Sequence, residues 1–186
     1  MRTHPLPYAI AIGNQWEGVH TNAIGDKSGA VLTDDGVTAA PGFADAYAQF
    51  REGGWMGLAV PEQYGGQGLP KVLSLAVMEM IHAANMAFGL CPLLSFGAIE
   101  ALLAHGTEEQ KTKYLPKLVS ADWTGTMNLT EPQAGSDVGA LKTKAVPNDD
   151  GSYAITGQKI YITWGDHDVA ENIIHLVLAR LPDAPE

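Results

Sequence analysis

At 186 residues, with 46% hydrophobic, 8% aromatic and 17% charged residues, the chain has the size and composition of about one folded domain. That excludes disorder, collagen and an extended coiled coil. The 11 Lys+Arg against 21 Asp+Glu give a formal net charge of -10 with no basic patch, which argues against nucleic acid and anionic membrane surfaces as partners.

No run reaches the roughly 20 consecutive apolar residues of a membrane span, so none is expected. The lone cysteine, Cys91, fits a reducing, cytoplasmic setting. Arg2 followed by residues 5–13 imitates a secretory signal, but Pro5 and Pro7 break the run and no clear cleavage site follows. Residues 1–40 show little periodicity and collect turn residues at 25–29 and 33–36, so they read as an irregular leader.

From Pro41 the pattern changes. Phe43, Ala46, Tyr47 and Phe50 recur at helical spacing behind a proline suited to a first turn, predicting a short helix ended by Gly53 and Gly54. Residues 71–85 are apolar around most of the helical circumference, which predicts a helix buried among others, and residues 93–105 read the same way. Thr107, three residues before Gln110, opens a capping box and a further helix to about Val119.

After Ser120 the period moves towards two, with strands predicted over 123–129, 153–156, 160–163 and 173–178. Helices followed by strands make the fold class α+β, with an N-terminal helical domain over 41–121 and an incomplete antiparallel β-domain over 122–186. About four strands do not cover both faces of a sheet, so the chain reads as a fragment of a longer protein.

Two runs could carry chemistry. In residues 127–137, Thr130 and Ser136 offer hydroxyls, while Ala134 and Gly135 would let backbone amides approach an anionic or planar ligand. The same run also suits an ordinary strand exit in which Thr130, Ser136 and Asp137 cap the local backbone. In residues 157–164, a strand would put Tyr161 and Thr163 on one face, an aromatic wall beside a hydroxyl. Any half-buried strand favours the same residues.

Taken together and in order, these runs resemble the acyl-CoA dehydrogenase family of flavoproteins. The resemblance rests on Thr130-Glu131-Pro132, Ala134-Gly135-Ser136-Asp137, Lys142-Thr143-Lys144-Ala145 and Gly157-Gln158-Lys159 with Ile162-Thr163. Upstream, residues 57–66 and 106–111 are similar to the family's helical domain, and the likeness spans 41–180. Residues 165–172 look closest to a longer bacterial branch that includes 3-methylmercaptopropionyl-CoA dehydrogenase.

The resemblance implies an FAD enzyme that converts an acyl-CoA thioester to the 2,3-enoyl-CoA. It implies electron-transfer flavoprotein as acceptor and a homo-oligomer when complete. Carried over by position, Met127, Leu129 and Thr130 would line the flavin, and Ser136 would lie where the FAD pyrophosphate and the acyl-CoA substrate meet. Tyr161, Ile162 and Thr163 would cover the isoalloxazine. Met127 and Tyr161 stand where many relatives carry Tyr and Trp. The family's catalytic base is a glutamate in a C-terminal helical domain, so no catalytic residue is assigned here, and Glu131 reads as a turn residue beside Pro132.

Asp166-His167-Asp168 reads as a turn with solvated charges, because adjacent residues rarely converge on one ion; no metal site is assigned. Gly65-Gly66-Gln67-Gly68 reads as a turn, Cys91 as a core thiol, and His82 and His105 as packing or surface residues. The competing reading is a truncated, non-catalytic remnant that binds flavin or acyl-CoA weakly, or associates through an open sheet edge.

Overall fold

A computed structural model describes Gly25 and residues 27–184. The signal-like run and most of the leader lie outside the described residues, as do residues 185–186. The first strands are β1 (Val31–Thr33) and β2 (Gly36–Thr38), an antiparallel hairpin turning at Asp34 and Asp35 inside the segment read as irregular. Asp-Gly before a β-branched residue is the local signal for it.

Four helices follow: α1 (Phe43–Glu52), α2 (Lys71–Ala84), α3 (Met86–His105) and α4 (Glu108–Val119). The spacing-derived face of α1, Phe43, Ala46, Tyr47 and Phe50, is buried. Phe88 of α3 meets Phe43 edge-on at 6.1 Å and Phe50 at 6.4 Å, so aromatic rings join these two helices. The Thr107 capping box forms as read: Oγ1 accepts from the Gln110 amide at 3.2 Å, and the Gln110 side chain accepts from the Thr107 amide at 2.9 Å.

Helix α3 starts well before residue 93. Asn85 alone separates it from α2, and its Oδ1 accepts from the Phe88 amide at 2.9 Å, capping a helix that continues through Pro92. By length and composition alone this 20-residue helix is long and apolar enough to cross a membrane, although Ser95, Glu100 and His105 interrupt its apolar residues. Here it is the central helix, burying Phe88, Cys91, Ala98, Ile99 and Leu102 against α2, α4 and the strand after α4. Helix α2 is not enclosed as its composition suggests: Val77, Met78, Ile81 and Ala84 face the core, while Val72, Leu73 and Leu75 are exposed because only α3 packs extensively against it.

The strands are β3 (Trp123–Asn128), β4 (Lys144–Pro147), β5 (Tyr153–Thr156) and β6 (Asn172–Val177). β4 and β5 form an antiparallel hairpin, as the sheet reading requires. β3 and β6 instead pair in parallel, Trp123 opposite Asn172 and Asn128 opposite Val177. The connection between them runs over 129–171, long enough for a parallel crossover. A bridge from Lys144 to Arg180 joins the two pairs. β3 lies directly on α3 at Gly125, whose amide donates to Ser95 Oγ at 2.9 Å. A Cβ at that position would stand 2.5 Å from the Ala98 methyl, so only glycine allows the contact.

Candidate functional site

The site grows from the alternation of β3. Gly125 turns towards α3, while Thr124 and Thr126 turn towards the chain that returns after β5. Thr126 Oγ1 donates to the Thr163 carbonyl at 2.7 Å. Beyond the strand, Glu131 and Ala134 exchange backbone hydrogen bonds of 3.0 Å each, closing a tight turn around Pro132 and Gln133.

Glu131 is 3% exposed and fully engaged. Its Oε2 accepts from Gln133 Nε2 at 2.6 Å and the Lys142 amide at 2.7 Å; its Oε1 accepts from the Thr143 amide and Lys159 Nζ, both at 2.9 Å. The Thr143 side chain beside it, the Lys142 amide, the Lys159 ammonium and the Thr143 amide hold the carboxyl well below the usual carboxylate range, outweighing burial. The Thr143 hydroxyl lacks the geometry of a full hydrogen bond. Lys159 Nζ also donates to the Leu129 carbonyl at 3.0 Å, and the Ile160 amide to the Thr130 carbonyl at 3.0 Å. The two runs singled out in the sequence therefore lie side by side.

Residues 160–163 are not a strand. Tyr161 and Trp164 adopt φ of 56° and 52°, a left-handed conformation that breaks the period-two alternation, so Tyr161 and Thr163 do not share a strand face. At Trp164 tertiary contacts hold it: the indole stacks on Phe43 at 5.8 Å and donates from Nε1 to the Ala87 carbonyl at 3.0 Å. Tyr161 is 89% exposed, Thr163 is exposed, and Ile162 is half-buried.

Met127 and Leu129 are exposed, at 37% and 38%; Thr130 is half-buried, and Ser136 is exposed on the loop after the turn. The hydroxyls of Thr130, Ser136 and Thr163 make no hydrogen bond among the described residues. A cavity of about 730 Å³ is lined by Lys159, Tyr161, Ile162 and Trp164 together with Val37 and Ala39. Met127, Leu129, Thr130, Ser136 and Thr163 do not line it.

His167 corrects the reading of its loop. It is 8% exposed, not solvated, and its Nε2 lies 3.0 Å from Thr124 Oγ1. Its Nδ1 accepts from the Val169 amide at 3.3 Å, which assigns the proton to Nε2. Burial pushes its pKa down, with His175 acting the same way and Asp166 and Asp168 opposing. Asp166 and Asp168 are exposed, and Asp168 Oδ1 accepts from the Ala39 amide at 2.9 Å. No metal-type cluster of His, Cys, Asp or Glu occurs among the described residues.

Residues 34–122 match the acyl-CoA dehydrogenase N-terminal domain, and residues 126–186 match the acyl-CoA dehydrogenase middle domain. The chain belongs to the acyl-CoA dehydrogenase family. It is 55% identical over 165 residues to 3-methylmercaptopropionyl-CoA dehydrogenase of Ruegeria pomeroyi, a match covering 89% of this chain and 28% of the relative. An acyl-CoA dehydrogenase from Bacillus anthracis, solved in complex with FAD, superposes with a TM-score of 0.65 at 34% identity over 75% of this chain and 23% of that one.

Butyryl-CoA dehydrogenase of Megasphaera elsdenii superposes with a TM-score of 0.69 over 96% of this chain and 45% of that chain, at 24% identity, and shows the shared α+β fold. The chain spans about a quarter of the length of the curated acyl-CoA dehydrogenases it matches first.

Proposed function

We propose that this chain is the N-terminal and middle portion of an FAD-dependent acyl-CoA dehydrogenase, divided near residues 121 and 122, and that it supplies one wall of the flavin site. The observation that carries the reading is the juxtaposition of 127–130 with 159–163. Met127, Leu129 and Tyr161 expose apolar and aromatic surface beside hydroxyls that have no partner among the described residues. That donor set suits a flat, amphipathic heterocycle.

Met127, Leu129, Thr130, Tyr161, Ile162 and Thr163 would hold the isoalloxazine, and Ser136 would contact both the pyrophosphate and the acyl-CoA. When bound, FAD supplies the acceptor for the β-hydride of the thioester. The residues here bind and orient. Glu131 does not serve as the α-proton base, because its oxygens already accept four hydrogen bonds and its affinity for a proton is depressed. An electron-transfer flavoprotein acceptor, a homo-oligomer and a cytoplasmic location belong to the same proposal.

The test is the visible spectrum of the purified chain during titration with FAD, alongside an acyl-CoA turnover assay with an artificial electron acceptor. A perturbed flavin spectrum without turnover is the expected result; a flavin spectrum identical to that of free FAD at saturating protein refutes the reading. The exposed α2 residues Val72, Leu73 and Leu75 favour a second reading, a protein-association module. Oligomerisation on size exclusion with no flavin uptake would support that one.

A further inference from the structure

We propose that the Glu131–Lys159 ion pair is a positioning latch that fixes runs 129–131 and 159–163 at one spacing and so shapes the flavin-facing surface. The role rests on the flavin-wall reading above. The side chains of Lys159 and Glu131 are only 9% and 3% exposed. Burying two charges costs desolvation free energy, and well-packed apolar residues in their place are often as stable or more so. Stability alone therefore does not account for charges at this point, whereas directional hydrogen bonding does.

The geometry is that of a fastener. One ammonium reaches both the Leu129 carbonyl and the Glu131 carboxylate. That carboxylate also gathers the backbone amides leading into β4 and the Gln133 side chain within its own turn. Four stretches of chain, at 129, 131–133, 142–143 and 159, thus converge on one pair of charges.

Run 159–163 needs such an anchor, because it has no strand ladder and carries a left-handed tyrosine whose side chain is almost wholly exposed. A bulky residue held at positive φ persists only where its surroundings over-determine it. Downstream, the Thr126–Thr163 and Trp164–Ala87 hydrogen bonds hold the run. Upstream, the hold consists of Lys159 and the adjacent Ile160 amide.

The test compares the chain with the double variant Glu131→Met/Lys159→Met, which removes both charges, and with Lys159→Arg, which keeps the charge but alters the reach of the donor. Three readouts are taken: thermal melting, amide hydrogen exchange of 157–165 against α4, and FAD titration. The double variant should melt cooperatively within a few degrees of the parent, while exchange over 157–165 rises about tenfold and FAD binding weakens about tenfold.

A folded double variant with parental exchange and parental FAD affinity overturns the latch and leaves the pair as packing. If the double variant does not fold, Lys159→Arg decides: weaker FAD binding with a parental melt supports the latch, and parental binding overturns it. A parent chain that takes up no FAD while 157–165 still loosens in the variant overturns the flavin-wall reading, not the mechanical coupling. That outcome is distinct from failure of the latch.

Discussion

Gly125 sits so close to Ala98 that an added Cβ would lie 2.5 Å from the alanine methyl. This contact sets the distance between β3 and the central helix, and hence where Met127 and the turn after it emerge. Gly125→Ala should cost about 2 kcal/mol through overpacking. Adding Ala98→Gly should recover most of that, less roughly 1 kcal/mol for glycine inside a helix. Urea unfolding of the three proteins measures both; a Gly125→Ala protein as stable as the parent would show that the strand can lift off the helix.

Glu131 makes stability sensitive to acid. Its pKa is lowered in the folded protein, so below the ordinary value of 4.5 the unfolded chain takes up a proton that the native form refuses. The stabilisation is complete above that pH and is lost progressively as pH falls. Asp122, lowered first by its hydrogen bond from Lys117, adds to the same slope. Lys159→Met should lower the melting temperature at neutral pH by roughly 10 °C and flatten the acid limb, since Glu131 would then lose its counter-ion. Melting curves from pH about 7 to about 3 test this, and an acid limb as steep as the parent's would count against it.

His167 works in a higher window, with the same sign. Its folded pKa lies below the ordinary 6.5, so stability is complete above that value and falls as pH drops through the interval to the folded pKa. His167→Gln keeps a donor for Thr124 and removes the titration. The parent should lose urea resistance between pH about 7.5 and about 5.5 by more than the variant does. Equal losses would place the titrating group elsewhere.

Thr163 separates cofactor binding from folding. Its carbonyl receives the Thr126 hydroxyl, whereas its own hydroxyl bonds to no described residue. Thr163→Val should therefore leave the melting temperature unchanged within about 2 °C. FAD binding should weaken about fivefold, the equivalent of one hydrogen bond. Unchanged FAD affinity would remove this hydroxyl from the flavin site.

Much of the helical layer was legible because its signals are local. The apolar spacing of Phe43 to Phe50 and the Thr107–Gln110 box each act within a few residues. The start of α3 was hidden because Pro92 suggests a first turn, while the determining group is the single cap at Asn85. Residues 161–164 escape a local reading for the opposite reason: their side chains favour strands, while the distant contacts of Trp164 with Phe43 and Ala87 hold the run in another path. Parallel pairing of β3 with β6 leaves no mark on either strand's own pattern. The motif around Glu131 was visible, yet its burial depends on Lys159, which no local rule connects to it.

The parallel pairing of β3 with β6 also bears on the order of assembly. Helices α2 to α4 form contacts between neighbours in the chain, but β6 reaches β3 only after the whole of 129–171 has closed into a loop, at an entropic cost that long-range contacts must offset. Both flavin-facing runs lie at or within that loop. The helical layer can therefore condense first, leaving the ligand-facing wall among the last parts of the molecule to acquire its shape.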